Sequence, residues 1–330
     1  MTAPHALNVA APVWAARALD VVSHKLARSV AIHHVVVGET PVPSAEALDT
    51  HVLWRYHLPA DRVANVIDEL PALRWIHSDY VGIEDLPIAE IRRREILLSN
   101  GAGIAARPMA EWVVLAILAA AKQLPRFIRQ SDAGTWETGP ALAELSGAVV
   151  LLLGFGAVGA ATARLLEPFA MDVRACVRRP RPTDHPLLQG VSRLIVGDAW
   201  RDHLPDADYV VCALPLTGDT AGMLGSDEFT AMRPGSWLVN VARGGLLDDT
   251  ALIHALDNGP LAGAVLDAFS REPLPSDDPL WGRPDVLVLP HITWSTAHTT
   301  DDFKARFADQ VERWVAGEEP ADLVDLGAGY

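Results

Sequence analysis

Three polar residues, each closely following a short apolar run, form a chemically complementary set. Arg243 stands in Asn240-Val-Ala-Arg-Gly-Gly245, Glu272 in Asp267-Ala-Phe-Ser-Arg-Glu-Pro273 and His291 in Pro290-His-Ile-Thr-Trp294. A guanidinium fork can hold a carboxylate through two hydrogen bonds, an imidazole can exchange a proton with a carbonyl or hydroxyl oxygen, and a glutamate can orient and charge that imidazole. Taken singly, each also reads as a surface arginine, a loop glutamate or a structural histidine. Their common position decides how they are read together. Ligands in open α/β sheets bind outside the carboxyl ends of the strands, so three segments that each end a strand can converge on one crevice.

The element that would organise such a crevice runs from Ala148 to Phe169. Val149 to Leu153 is an unbroken apolar run of the length and branching of a buried parallel strand, and Gly154, Gly156 and Gly159 follow in the spacing G-x-G-x-x-G. Gly154 permits a tight turn, Gly156 lets a pyrophosphate approach the backbone, and Gly159 lets the next helix lie close to the sheet. That helix carries Val158, Ala161, Thr162, Leu165, Leu166 and Phe169 at helical spacing, with Pro168 near its end. Its free N–H groups and positive dipole end suit phosphates. A strand before the glycines and a helix after them is the context a dinucleotide site requires.

Around this stretch the chain alternates strands and helices twice. Leu7–Val13, Val30–Val37, His51–Tyr56, Arg74–Asp79 and Ile96–Asn100 read as the strands of a small parallel α/β unit. Gly101-Ala-Gly103 breaks the chain, and Met109 to Lys122 reads as a long apolar helix leading into a second domain. There Val149–Leu153, Val173–Val177, Tyr209–Leu214, Trp237–Val241, Ala264–Leu266 and Val286–Leu289 give six strands of a doubly wound sheet. A last helix, Asp301 to Val315, carries Phe303, Phe307, Val311 and Trp314 on one stripe that must cover some surface.

Composition narrows the partners. The chain has 330 residues, half of them apolar, enough for two domains; 42 acidic against 27 basic residues disfavour nucleic acid or an anionic membrane as a partner. The basic runs are short, Arg92–Arg94 and Arg178–Arg181, and the first reads as a solvated helix end. Cys176 and Cys212 lie in apolar segments and read as reduced, buried thiols of a cytoplasmic protein. No signal peptide is read at the N-terminus, and the most apolar helix, Trp112 to Ala121, is too short to span a bilayer. No metal-ligand set is singled out.

The motifs Gly154-Phe-Gly-Ala-Val-Gly159, Val239-Asn-Val-Ala-Arg-Gly-Gly245, Asp267-Ala-Phe-Ser-Arg-Glu-Pro273 and Pro290-His-Ile292, in that order, resemble those of the D-isomer-specific 2-hydroxyacid dehydrogenases. The resemblance is continuous from about Trp75 to about Thr296. It implies an α/β fold of two Rossmann-like domains, one flavodoxin-like and one doubly wound and dinucleotide-binding, with a cleft between them that closure dries. Residues 1–102, completed by 293–330, would form the substrate domain, and residues 103–292 the dinucleotide-binding domain. It further implies that Arg243 binds the carboxylate of a 2-oxo acid and polarises its 2-oxo group, that His291 donates the proton in reduction, and that Glu272 pairs with His291. The cofactor would rest on Gly154, Gly156, Ala157, Val158, Gly159, Leu214, Pro215, Thr220, Ala242 and Asp267. Leu214-Pro215-Leu216 matches the segment beside the adenosine, and Asp267 the carboxylate near the nicotinamide amide. Homodimers joined through the cofactor domain are general in the family, and Met109 to Ala121, apolar nearly all round, is the expected interface helix.

Two departures shape the expected specificity. NAD-dependent members end the strand after the glycine helix with an Asp for the ribose hydroxyls; here Val173-Arg-Ala-Cys-Val177 is followed by Arg178 and Arg179. Two guanidinium groups suit a ribose 2′-phosphate, so NADP(H) is expected over NAD(H). The substrate loop, Gly-Ala-Gly in members, reads Tyr80-Val81-Gly82. Tyr80 would narrow the loop or add a hydroxyl, Trp294 is either a pocket wall or a structural residue, and Arg55 at a strand end would suit a second anionic group. The expected activity is reduction of a 2-oxo acid, glyoxylate, hydroxypyruvate or a bulkier one, to a D-2-hydroxy acid. A formate dehydrogenase would carry Gln as the histidine's partner, against Glu272; a corepressor-like dinucleotide sensor is the alternative of a different class.

Overall fold

Val52-Leu-Trp54 and Trp75-Ile-His-Ser78 are buried at every position, which is the condition of central strands covered on both faces. The computed structural model describes residues 5–27, 29–38, 42, 44–139, 141–182 and 185–328. Its chain forms two units, Met1–Ile104 with Thr296–Tyr330, and Ala105–Ser295. The first alternates β1 (His5–Ala11), α1 (Ala16–Leu26), β2 (Val30–Val36), a short α2 (Ser44–Ala47), β3 (Val52–Trp54), α3 (Ala60–Glu69), β4 (Trp75–Ser78), α4 (Ile88–Arg93) and β5 (Leu97–Asn100). The five strands are parallel in the order β2-β1-β3-β4-β5. Side-chain alternation divides the core: Leu53 and Ile76 face a cluster with Leu58, Val63 and Ile67, whereas Val52, Trp54 and Trp75 face the other side.

The second unit runs through α5 (Ala106–Ala121), α6 (Leu124–Asp132), β6 (Val149–Leu153), α7 (Ala157–Leu166), β7 (Asp172–Val177), β8 (Arg193–Val196), β9 (Tyr209–Cys212), α8 (Ser226–Ala231), β10 (Ser236–Asn240), α9 (Asp249–Asp257), β11 (Leu261–Leu266) and β12 (Val286–Val288). Its seven strands are parallel in the order β12-β11-β10-β9-β6-β7-β8, so the topology reverses between β6 and β9. The sequence reading gave six of these. The seventh, β8, is an edge strand in which only Ile195 is buried, and an edge strand covered on one side lacks the apolar run that marks the others. α5 is not apolar toward open solvent all round. Val113, Ile117 and Ala120 meet Val150, Leu152, Ala160 and Ala163 within their own unit.

The final helix, α10 (Ala297–Val315), completes the first unit. Thr296 caps it by accepting from the Thr299 N–H. Its predicted stripe finds a partner: Phe307 stacks on Trp54 with ring centroids 4.3 Å apart, and Trp314 lies 5.5 Å from Trp75. No helix among the described residues is long and apolar enough to cross a membrane. Cys176 and Cys212 are free and buried, and burial pushes both thiols up to about 12.

Candidate active site

At the reversal point the glycine turn lies against the loop after β9. Gly154 has φ +93°, and a Cβ there would fall 2.5 Å from the Ala213 carbonyl oxygen and 2.6 Å from Leu214 Cβ. Only glycine allows both the conformation and the approach. A Cβ on Gly159 would fall 2.5 Å from the Gly154 carbonyl oxygen, so this glycine holds α7 close to the turn. At Gly156 a Cβ would meet nothing within 4 Å, and α7 starts just beyond without a capping side chain. Room in front of a helix start whose first N–H groups lack a side-chain cap fits a pyrophosphate at Ala157 and Val158. Thr220 steadies the neighbouring loop, its hydroxyl donating to the Pro215 carbonyl at 2.7 Å and accepting from the Thr217 N–H at 2.8 Å.

Arg178 and Arg179 follow β7 and are exposed. A third arginine of the same run, which the sequence reading did not assign to the cofactor, stands beside the turn. The Arg181 guanidinium lies 5.7 Å from the centroid of the Phe155 ring, and its Nη1 is buried without a hydrogen-bond partner. A buried cationic donor beside the glycine turn is costly unless an anion reaches it. The signal was present in the run Arg178-Arg-Pro-Arg181, but which of its arginines turns inward depends on the path after Pro180.

The three chemistry-bearing residues come from adjacent strands β10, β11 and β12. Asn240 at the end of β10 accepts from the Ala242 N–H and donates to the Arg243 carbonyl, which fixes the turn that carries Arg243. The Arg243 Nη1 donates to the Ala242 carbonyl at 2.9 Å. Beside it, a Cβ on Gly244 would fall 1.9 Å from the Phe269 carbonyl carbon, so the Arg243 turn touches the backbone of the Glu272 loop. Glu272 accepts from the Phe269 N–H through Oε1 at 2.9 Å and meets His291 Nδ1 through Oε2 at 2.8 Å. His291 itself has φ +50°, an uncommon conformation for a residue with a side chain. Asp267, fully buried, explains how it is held: its carboxylate accepts from the Ile292 N–H, the Thr293 N–H and the Thr293 hydroxyl. Trp294 fastens the same turn, its indole N–H donating to the His291 carbonyl at 3.0 Å. Asp267 and Trp294 are therefore positioning residues for the histidine turn.

Of the expected substrate residues, Arg55, Tyr80, Val81 and Gly82 lie in the first unit and Trp294 in the second. Arg55 is only 3% exposed; Nε donates to the Leu58 carbonyl and Nη2 pairs with Asp85 at 2.6 Å. This differs from the strand-end cation expected to meet a ligand, because burial has brought the guanidinium its own carboxylate. It supports instead the Tyr80 ring, 5.1 Å away. The Tyr80 hydroxyl meets His57 Nδ1 at 2.9 Å, and Asn100 donates to the Val81 carbonyl, so the loop through Gly82 is tied down by side chains absent from the motif itself.

Residues 114–293 match the family model described as the NAD-binding domain of D-isomer specific 2-hydroxyacid dehydrogenases. The chain belongs to the D-isomer-specific 2-hydroxyacid dehydrogenase family. Within it, a glyoxylate reductase of Thermococcus gammatolerans is 31% identical over 268 residues, covering 79% of this chain and 78% of that protein. The D-3-phosphoglycerate dehydrogenase of Mycobacterium tuberculosis is 31% identical over 289 residues, 87% of this chain but 52% of that protein, so the chain spans about half the length of this relative. A crystal structure of a D-isomer specific 2-hydroxyacid dehydrogenase from Xanthobacter autotrophicus, in complex with NADPH and MES, superposes with a TM-score of 0.81 at 26% identity, covering 99% of this chain and 100% of that one. The matched range 114–293 includes the glycine turn, Arg243, Glu272 and His291; Arg55, Tyr80 and Trp294 lie outside it.

Proposed function

We propose that this dehydrogenase reduces a 2-oxo acid to a D-2-hydroxy acid with NADPH, in the cytoplasm. The observation that carries the reading is the 2.8 Å pair of His291 Nδ1 with Glu272 Oε2, in a loop that touches the Arg243 turn. A bound nicotinamide supplies the hydride to the 2-oxo carbon. Arg243 holds the substrate carboxylate, and its charge draws electron density toward the neighbouring carbonyl oxygen. With Nδ1 facing the carboxylate, Nε2 is the nitrogen that passes a proton to that oxygen, so the carbonyl gains hydride at carbon and proton at oxygen. The Phe269 N–H holds Glu272 from the other side and prevents its rotation away from the ring. Following the reduced cofactor's absorbance against a panel of 2-oxo acids tests this; no consumption of NADPH or NADH with any of them would refute it, and would favour a dinucleotide sensor.

Glu272→Gln isolates the charge. Glutamine keeps the shape and a hydrogen bond but removes the negative charge 2.8 Å from Nδ1. In this variant kcat for 2-oxo acid reduction is expected to fall by about tenfold or more, with NADPH binding kept. Parental kcat in Glu272→Gln would show that the charge of Glu272 plays no part in the reaction.

Arg178, Arg179 and the inward Arg181 support NADPH over NADH. A charge-assisted contact to a phosphate is worth about 1.5–3 kcal/mol, so NADPH is expected to be used roughly tenfold to a hundredfold better. Arg181→Ala should remove a large part of that preference in kcat/KM. Equal use of both cofactors by the parent protein would count against the assignment.

A homodimer fits the apolar surface of the second unit. Leu115 of α5 and Leu124, Phe127 and Ile128 of α6 are exposed, so the expected interface helix would be extended by α6. Sedimentation of the purified chain reads the dimer directly.

A further inference from the structure

A carboxylate with no part in the chemistry above lies inside the first unit. Asp79 follows β4 and is 3% exposed. Its Oδ1 accepts from the Trp54 indole N–H at 3.0 Å, whereas Oδ2 is buried and has no hydrogen-bond partner among the described residues. His77, two positions earlier, shares this condition: Nδ1 meets the Ser99 hydroxyl at 2.8 Å, and Nε2 is buried without a partner. Phe307 of α10 lies 5.4 Å from the His77 ring and 4.3 Å from the ring of Trp54, so both polar groups sit in an aromatic setting.

The neighbouring cations are already paired. Arg55, after β3, is held by Asp85, and Arg306 of α10, whose charge acts on His77, is held by Asp322 of the C-terminal segment. Burial, and then Arg306, pushes His77 down to about 3, so it is neutral and offers Asp79 no charge. Tyr80 and His57 bond to each other, and β5 brings Ser99 and Asn100, neither of which titrates. An ionised Asp79 is therefore a buried charge with a single hydrogen bond, a costly state. Burial pushes its carboxyl up to about 6, against the Trp54 bond and the charge of Arg55.

Little room exists beside it. A Cβ on Gly101 would fall 2.6 Å from the Asp79 carbonyl oxygen and 2.5 Å from Phe303 Cε1, so a small shift of the backbone at residue 79 meets β5 or α10. Relief of the charge requires the end of β4 to move as a piece. That piece carries the loop whose ties are the Ser78 hydroxyl on the Tyr80 carbonyl at 3.1 Å and the Asn100 amide on the Val81 carbonyl at 2.9 Å.

We propose that Asp79 is a proton-operated latch on the Tyr80-Val81-Gly82 loop: the protonated side chain stays beneath α10 and keeps the loop closed, and ionisation favours opening of the end of β4 to water. The sign follows from the raised value. The stabilisation is fully present below about pH 4 and is lost as pH rises through about 6.

The test follows amide hydrogen exchange of residues 79–82 in the full chain and in Asp79→Asn, which keeps an acceptor for Trp54 and carries no charge. The ratio of parental to variant exchange is expected to rise about tenfold or more between about pH 4 and about pH 7.5, with about a hundredfold as its ceiling. A ratio independent of pH overturns the latch. The Trp54 indole N–H resonance of the parental chain reads the same titration without a substitution, with its midpoint expected near 6. A midpoint in the ordinary carboxylate range, or no titration of that resonance, overturns the latch as well.

Discussion

His291→Asn is expected to lower kcat for 2-oxo acid reduction by about 10²–10⁴-fold, the range that general acid catalysis contributes, while NADPH still binds. Asparagine is the informative replacement because of the backbone. At φ +50° an alanine carries left-handed strain of about 1–2 kcal/mol, whereas asparagine tolerates this region. A loss in His291→Asn therefore reports the missing proton donor rather than a collapsed turn. The dinucleotide should be held by the glycine turn after β6, so the NADPH dissociation constant from a fluorescence titration should stay within about threefold. Near-parental turnover in His291→Asn would remove His291 from the chemistry. Loss of turnover together with loss of NADPH binding would assign it to the cofactor site instead.

The strands were legible wherever they are buried on both faces. Val149–Leu153 and Tyr209–Cys212 are central, need apolar residues at every position, and so stand out in the sequence. β8 was not, because an edge strand of Arg193-Leu-Ile-Val196 places only one side chain in the core. The site separates in the same way. Residue types and spacing pointed to Arg243, Glu272 and His291, and the described structure brings Glu272 and His291 into contact. What holds them there was hidden: Asp267 clamps the turn after β12 from the end of β11, 25 residues away in the case of its bond to Ile292. Arg181 and the pairing of Arg55 with Asp85 were hidden for a related reason. Whether a guanidinium turns inward is set by the loop path and by which acid lies within reach, and neither leaves a periodic mark in the sequence.

Gly244→Ala should damage the site as severely as loss of a catalytic side chain, although glycine supplies none. The added methyl would fall 1.9 Å from the Phe269 carbonyl carbon, 2.2 Å from the Ser270 nitrogen and 2.4 Å from Phe269 Cα. All three are backbone atoms, so no rotamer change relieves the overlap, and the Arg243 turn and the Glu272 loop must separate by an ångström or more. Displacements of about 1 Å at a reacting centre can cost on the order of 10²-fold, and overpacking adds about 1–3 kcal/mol of lost stability. Gly245→Ala is the matched control. Its methyl would meet Leu216 Cδ2 at 2.9 Å, the flexible end of a side chain, and should cost far less in both kcat/KM and denaturant midpoint. The two loops in contact are those carrying the residue proposed to bind the carboxylate and the residue proposed to charge the proton donor. If Gly244→Ala were as active and as stable as Gly245→Ala, the contact between those loops would not be what sets the catalytic geometry.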